Sequence, residues 1–156
     1  MKVLMVCLGN ICRSPLAEGI LKHKFRKKNI DGYVDSAGTA AYHAGEYPDP
    51  RSMEIAERHG IDISDQRARK FDPEDFDRFD RIFAMDRSNY QNILAQARKP
   101  SDRQKVDLIM NMAYPGENMQ VPDPYYGGDQ GFQNVYKMLD LACDKIAAQA
   151  GKSISP

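Results

Sequence analysis

The sequence has no tryptophan, only three cysteines in 156 residues, and no net charge, its 22 Lys and Arg balancing 22 Asp and Glu. Each shortage removes a class of protein. Cys7, Cys12 and Cys143 are too few, and odd in number, for the disulfide framework of a secreted scaffold. No cluster of Cys or His supplies a second ligand pair, so no metal site is expected, and nothing in the chain calls for a cofactor. Balanced charge gives none of the basic excess that nucleic-acid binders show. The one basic run, residues 22–28, reads as the solvated end of a helix. No apolar run approaches the ~20 residues of a membrane helix. The apolar opening, residues 3–6, is also too short for a signal peptide and is soon interrupted by Gly9, Asn10 and Arg13. These absences predict a cytoplasmic protein with no nucleic-acid or membrane partner.

What is present points to one domain, residues 1–156, with 151–156 as a frayed tail. Val3-Leu4-Met5-Val6 reads as a buried strand, and residues 15–28 as a helix with Ala17, Ile20, Leu21 and Phe25 near one face. Ser14 is expected to cap that helix, with Pro15 in its first position. Residues 33–37 form a second strand ending at Gly38, which completes a right-handed βαβ unit. Asp49-Pro50 opens a helix that ends at Gly60. A short helix follows Asp72-Pro73. Residues 81–85 and 106–110 are further strands, with a helix from Asn89 to about Arg98 between them. A long apolar stripe from Phe132 to Ala147 marks a last helix over about 130–150, with Cys143 in its core face. Strand and helix alternate four times, which predicts a three-layer α/β fold with a mostly parallel sheet. Ligands of such sheets lie beyond the carboxyl ends of the strands, where Cys7, Ser36, Asp86 and Asp123 are all expected.

The chemistry concentrates in Cys7-Leu8-Gly9-Asn10-Ile11-Cys12-Arg13-Ser14-Pro15. A cysteine at a strand end is followed by a loop containing Gly and Asn, the residues that best tolerate left-handed backbone, and then by an arginine at a helix start. Loop N–H groups from Leu8 to Ser14 can form a concave anion nest, to which the helix start adds positive potential. Arg13 supplies a planar fork for two phosphate oxygens. Such a loop binds an oxyanion and aims a nucleophile at its phosphorus. A leaving alkoxide or phenoxide then needs a proton from a second residue. Asp123 is the best candidate, fixed between Pro122 and Pro124 beside Tyr125 and Tyr126, with Asp86 next.

The stretch resembles the C-x5-R-[ST] signature of the low-molecular-weight protein tyrosine phosphatases without departure, and Asp123-Pro124-Tyr125-Tyr126 resembles that family's general-acid loop. Ser36-Ala37-Gly38-Thr39, His59-Gly60-Ile61 and Met85-Asp86 with Asn89 are weaker matches. The resemblance implies a four-stranded parallel sheet with helices on both faces. It also implies hydrolysis of phosphotyrosine in proteins or peptides through a cysteinyl phosphate, with inorganic phosphate and other oxyanions as inhibitors. It assigns Cys7, Arg13 and Asp123 to catalysis. Asn10, Ser14 and Ser36 support the loop, with a further histidine that this chain does not clearly match, Gln66 or Arg67 falling in that region. Tyr42 and either Tyr126 or Tyr125 wall the substrate ring, with Leu8 and Ile11 near the rim. Arsenate reductases of this fold need redox cysteines near the third strand, which are missing here. Protein arginine phosphatases resemble the chain but typically carry Thr at the position of Ile11. A cysteine phosphocarrier remains a different class, and it needs no acid such as Asp123.

Overall fold

A computed structural model describes residues 1–154. Its sheet has four parallel strands in the order β2-β1-β3-β4, namely β1 (Lys2–Cys7), β2 (Tyr33–Gly38), β3 (Arg81–Ala84) and β4 (Val106–Leu108). The helices are α1 (Arg13–Lys27), α2 (Pro50–Arg58), α3 (Asp75–Arg78), α4 (Arg87–Leu94), α5 (Pro100–Gln104) and α6 (Gly128–Ile154). β1 lies between two neighbours and is buried from Val3 to Cys7. Because side chains alternate along a strand, its residues divide between two cores. Val3, Met5 and Cys7 pack with Leu16 of α1, Ile55 of α2 and Leu139 of α6. Leu4 and Val6 pack with Phe76 of α3 and Ile93 of α4. Helices thus cover both faces, the expected three-layer α/β architecture.

The order places the crossover from β1 to β2 on one side and the chain's return to β3 on the other. The crevice between the carboxyl ends of β1 and β3 is therefore the point where a loop can enter unobstructed. The loop after β1 occupies it.

Several local expectations are corrected. α1 begins at Arg13, with Cys12 at its cap position and no side-chain cap. Ser14 does not cap because its hydroxyl is turned toward Cys7 and Asn10. Pro15 stands third in the helix, still among the first four positions whose N–H has no intrahelical partner. α4 starts at Arg87 rather than Asn89, since Asp86 itself is the cap. Its carboxylate accepts from the Asn89 N–H at 2.8 Å, and the Asp86 N–H donates to Asn89 Oδ1 at 3.2 Å. α4 stops at Leu94, and Pro100 opens the unanticipated α5. β4 gives way after Leu108 to a 3-10 turn, Ile109–Met112. At the other end of the chain, α6 continues through Ile154, so 151–154 are helical rather than frayed. Ala150, 1% exposed, still anchors the helix to the core there, and residues 155–156 lie outside the described residues. Cys143 is fully buried, as its place in the apolar stripe predicts.

Candidate active site

The loop after β1 curls back over its own strand end. Asn10 takes the left-handed conformation, φ 57°, and its N–H donates to Cys7 Sγ at 3.3 Å. β2 holds the outer side of the loop, where Thr39 N–H donates to Cys7 O at 2.9 Å and Ala40 N–H to Leu8 O at 3.0 Å. Gly38 permits this approach, since a Cβ there would stand 2.8 Å from Leu8 O.

Asn10 is the keystone of a buried polar chain. Its Oδ1 accepts from the Arg69 N–H at 3.0 Å, which fixes the amide's orientation. Both Nδ2 hydrogens are then directed, one to Ser36 Oγ at 2.9 Å and one to Ser14 Oγ at 2.8 Å. Ser36 donates its own proton to Glu18 Oε1 at 2.6 Å. The Ser14 hydroxyl lies 3.1 Å from Cys7 Sγ and 3.5 Å from Ala37 O, which also accepts from it. The Asn10 N–H and the Ser14 hydroxyl thus both stand within hydrogen-bonding distance of one buried sulfur. In place of the histidine that the chain does not clearly match, the Arg69 backbone N–H bonds Asn10, and Gln66 donates to Pro15 O at 3.0 Å.

Glu18 is a member of this chain that the sequence reading missed. It is 3% exposed on α1, and burial pushes its carboxyl above the ordinary range against the pull of Lys22 and Ser36. A Glu-Lys pair four residues apart on an otherwise apolar helix face was the available signal.

Arg13 is 2% exposed. Its Nη1 donates to Asp86 Oδ2 at 2.7 Å and to Val121 O at 2.9 Å, while Nη2 stands 3.9 Å from Asp123 Oδ2. Burial opposes the guanidinium charge, but Cys7, Asp86 and Asp123 outweigh it and hold the pKa above its ordinary value. Asp86, the second candidate for an acid, is thus committed to orienting Arg13 and capping α4.

Asp123 begins a 3-10 turn, Pro124–Tyr126, and Oδ1 accepts from the Tyr125 N–H at 3.0 Å. That bond leaves Oδ2 toward Arg13. Its side chain is 48% exposed at the mouth of the site. Cys7, Cys12, Arg13 and Asp123 all border one cavity of about 340 Å³, rimmed by Leu8, Ile11, Tyr42, Tyr125 and Tyr126. Tyr126 is 94% and Tyr42 81% exposed, so both rings are free to meet a ligand. The reading also missed His43, which lines the cavity and packs so closely on Gly9 that a Cβ there would lie 3.0 Å from its Cδ2.

A model of the family described as low molecular weight phosphotyrosine protein phosphatase matches residues 2–155. The chain belongs to this family. The phosphatase is 45% identical to the low molecular weight phosphotyrosine protein phosphatase of Schizosaccharomyces pombe over 141 residues, 88% of this chain and 89% of the other. Its structure resembles that of a protein tyrosine phosphatase from Entamoeba histolytica, solved with Hepes in the active site, with a TM-score of 0.91, 36% identity and coverage of 98% of each chain. A Drosophila arginine phosphatase is similar too, with a TM-score of 0.89, 38% identity and coverage of 99% of this chain and 100% of that one. Among the described residues no helix is long and apolar enough to cross a membrane, and no group of three or more His, Cys, Asp or Glu could hold a metal ion.

The two cysteines of the phosphatase loop differ in character. Burial, reinforced by Asp49, Cys7 and Asp123, pushes Cys12 up to about 12, and burial likewise raises Cys143. At neutral pH both stay protonated and poorly nucleophilic. Iodoacetate at pH 7 is expected to modify Cys7 alone, with inorganic phosphate slowing the reaction. Peptide mapping checks this, and early labelling of Cys12 would refute the assignment.

Proposed function

We propose that this phosphatase hydrolyses phosphotyrosine in protein or peptide substrates through a phosphate ester of Cys7. The observation that carries the reading is the convergence on one cavity of a sulfur in contact with the Asn10 N–H and the Ser14 hydroxyl, a buried guanidinium and a loop carboxyl. The Cys7 thiolate attacks phosphorus, a P–S bond forms as the P–O bond to the phenol breaks, and protonated Asp123 gives the departing oxygen its proton. Asp123, now a carboxylate, takes a proton from water as that water attacks the cysteinyl phosphate and releases inorganic phosphate and the thiolate. Arg13 and the N–H groups of residues 8–14 hold the equatorial oxygens as charge redistributes. Ser14 donates to sulfur and eases its departure in the second step. Asn10 and Ser36 hold the loop in shape.

Tyr42 and Tyr126 wall the substrate ring. Tyr125 is turned toward Arg51, its ring 4.9 Å from the guanidinium. The apolar rim of Leu8 and Ile11 and the depth of Cys7 below it favour a long aromatic phosphoester over phosphoserine. Ile11 offers no hydroxyl to a guanidinium, which disfavours phosphoarginine. Cys143 on α6 is sealed from the cavity, so no second redox cysteine is available for arsenate reduction beyond Cys12. Free phosphate and similar oxyanions compete for the loop. The reading places the protein in the cytoplasm, where its phosphoprotein substrates would be met.

The test is kcat/KM for matched phosphotyrosine, phosphoserine and phosphoarginine peptides, with released phosphate measured. The phosphotyrosine peptide is expected to be preferred by roughly two orders of magnitude or more, the discrimination a site gains when its polar and apolar complement is left unfilled by the wrong substrate. Equal values for phosphoserine, or a higher value for phosphoarginine, would overturn the assignment. Failure to release free phosphate on turnover would favour a carrier.

A further inference from the structure

The start of α2 grips both halves of the site. On one side the Asp49 N–H donates to Ile11 O at 2.8 Å, and Ser52 Oγ donates to Cys12 O at 3.2 Å, which ties the segment to the phosphate loop. On the other side Arg51 reaches the acid loop. Its Nη1 donates to Tyr125 O at 2.7 Å, and its guanidinium carbon lies 4.9 Å from the centre of the Tyr125 ring and 4.8 Å from that of Phe132, the residue on α6 beneath the loop.

Arg51 cannot swing freely. Asp49 accepts from its Nε at 3.0 Å and from its Nη2 at 3.0 Å, and also from its N–H at 2.8 Å. The carboxylate that caps α2 thus holds the guanidinium in a two-pronged fork, leaving Nη1 for the Tyr125 carbonyl. That carbonyl is only two residues from Asp123, and Asp123 Oδ1 accepts from the N–H of the same Tyr125. Asp123 itself stands between Pro122 and Pro124, and Pro124 is buried at the start of the 3-10 turn, but beyond it the turn is open to solvent, the Tyr125 and Tyr126 rings being half-exposed and exposed.

We infer that Arg51 is the positioning residue that docks the acid loop onto the phosphate loop, setting where the Asp123 carboxyl stands relative to the leaving oxygen. The inference rests on Asp123 being the acid. Arg51 itself touches no reacting atom. Loss of the fork frees the turn to wander, and a displaced carboxyl loses proton-transfer efficiency while the Cys7–Arg13 nest stays formed. A displacement of about 1 Å can cost on the order of 100-fold in rate. Lysine cannot bind Asp49 and the carbonyl together in a fixed plane, so the role is specific to arginine.

The experiment compares phenyl phosphate, whose leaving group needs a proton, with 4-nitrophenyl phosphate, whose leaving group needs it much less. It uses wild type, Arg51→Ala, Arg51→Lys, Asp123→Ala and the double variant Arg51→Ala/Asp123→Ala. Arg51→Ala is expected to lose about 10- to 100-fold in single-turnover rate on phenyl phosphate, part of the ~10²–10⁴-fold that a general acid contributes. It should lose only a few-fold on 4-nitrophenyl phosphate, with inhibition by inorganic phosphate nearly unchanged. Arg51→Lys should show the same selective loss, smaller, and serves if the alanine variant does not fold. The double variant should be no slower on phenyl phosphate than Asp123→Ala alone, because Arg51 acts through Asp123. Equal losses on both substrates, or losses that multiply in the double variant while Asp123→Ala behaves as an acid knockout, would overturn the role of Arg51 alone. An Asp123→Ala enzyme with wild-type discrimination between the two substrates would overturn the acid assignment, and this inference with it.

Discussion

Replacing Cys7 by serine is expected to lower turnover on the order of 10⁴-fold or more, the scale on which loss of a nucleophile acts, while inorganic phosphate still binds. The reason lies in the partners of the sulfur. The groups hydrogen-bonded to Cys7 Sγ are the Asn10 N–H and the Ser14 hydroxyl, and the buried guanidinium of Arg13 raises the donor character of the site further. Such surroundings stabilise an anion that already exists. Neither of these two partners is a base that could create one from a serine hydroxyl. A thiol is far more acidic than an aliphatic hydroxyl, whose proton must be removed in the transition state. The oxyanion nest of backbone N–H groups and Arg13 is untouched by the change, so phosphate affinity should survive. Turnover of 4-nitrophenyl phosphate and calorimetric titration with phosphate together check this. Residual turnover near wild type, or a phosphorylated residue other than Cys7 in acid-quenched protein, would remove Cys7 from the nucleophile's place.

Asp123→Ala is expected to slow formation of the cysteinyl phosphate by about 10²–10⁴-fold when the leaving group is a phenol as basic as tyrosine, whose pKa is near 10. With an activated nitrophenol the loss should be far smaller, because that anion departs without help. Single-turnover rates across a series of aryl phosphates should therefore fall steeply with leaving-group pKa in the variant and gently in wild type. The geometry makes the comparison clean. Among the described residues Asp123 is the one carboxylate of the cavity lining, and Asp86, the alternative, has one oxygen on Arg13 and the other in its helix cap. Asp86→Asn should accordingly leave the leaving-group slope unchanged and damage all substrates alike through Arg13. Equal slopes in wild type and Asp123→Ala would show that another group is the acid.

Much of this was open to inspection in one dimension. Asp49-Pro50 specified the start of α2 because a cap carboxylate and a proline act on N–H groups within the next few residues. The apolar stripe of α6 placed Cys143 in the core for the same local reason. Ser14-Pro15, by contrast, looked like a cap and first turn and proved to be the second and third helical residues. Asn10, four residues earlier and held by the distant Ser36 and Arg69, recruited the hydroxyl that local rules assigned to capping. α5 and the extension of α6 were missed because five helical residues, or a last turn at a chain end, carry little periodic signal of their own.

The amino-acid sequence by itself determined the loop after β1, since its cysteine, its glycine and asparagine, its arginine and its helix start lie within nine consecutive residues and interact over a single turn of chain. It also determined the parallel α/β order, which follows from alternating strands and helices. Only the tertiary structure decided how the loop is completed. Asp86 and Val121 aim Arg13 from the far ends of other segments, and the Arg69 N–H orients the Asn10 amide beside Cys7. Arg51 reaches from α2 to hold the turn on which Asp123 stands. Those partners are separated by tens of residues in the chain, and burial is what selects them: a charge or hydroxyl removed from water must find its partner among whatever the fold brings within hydrogen-bonding distance.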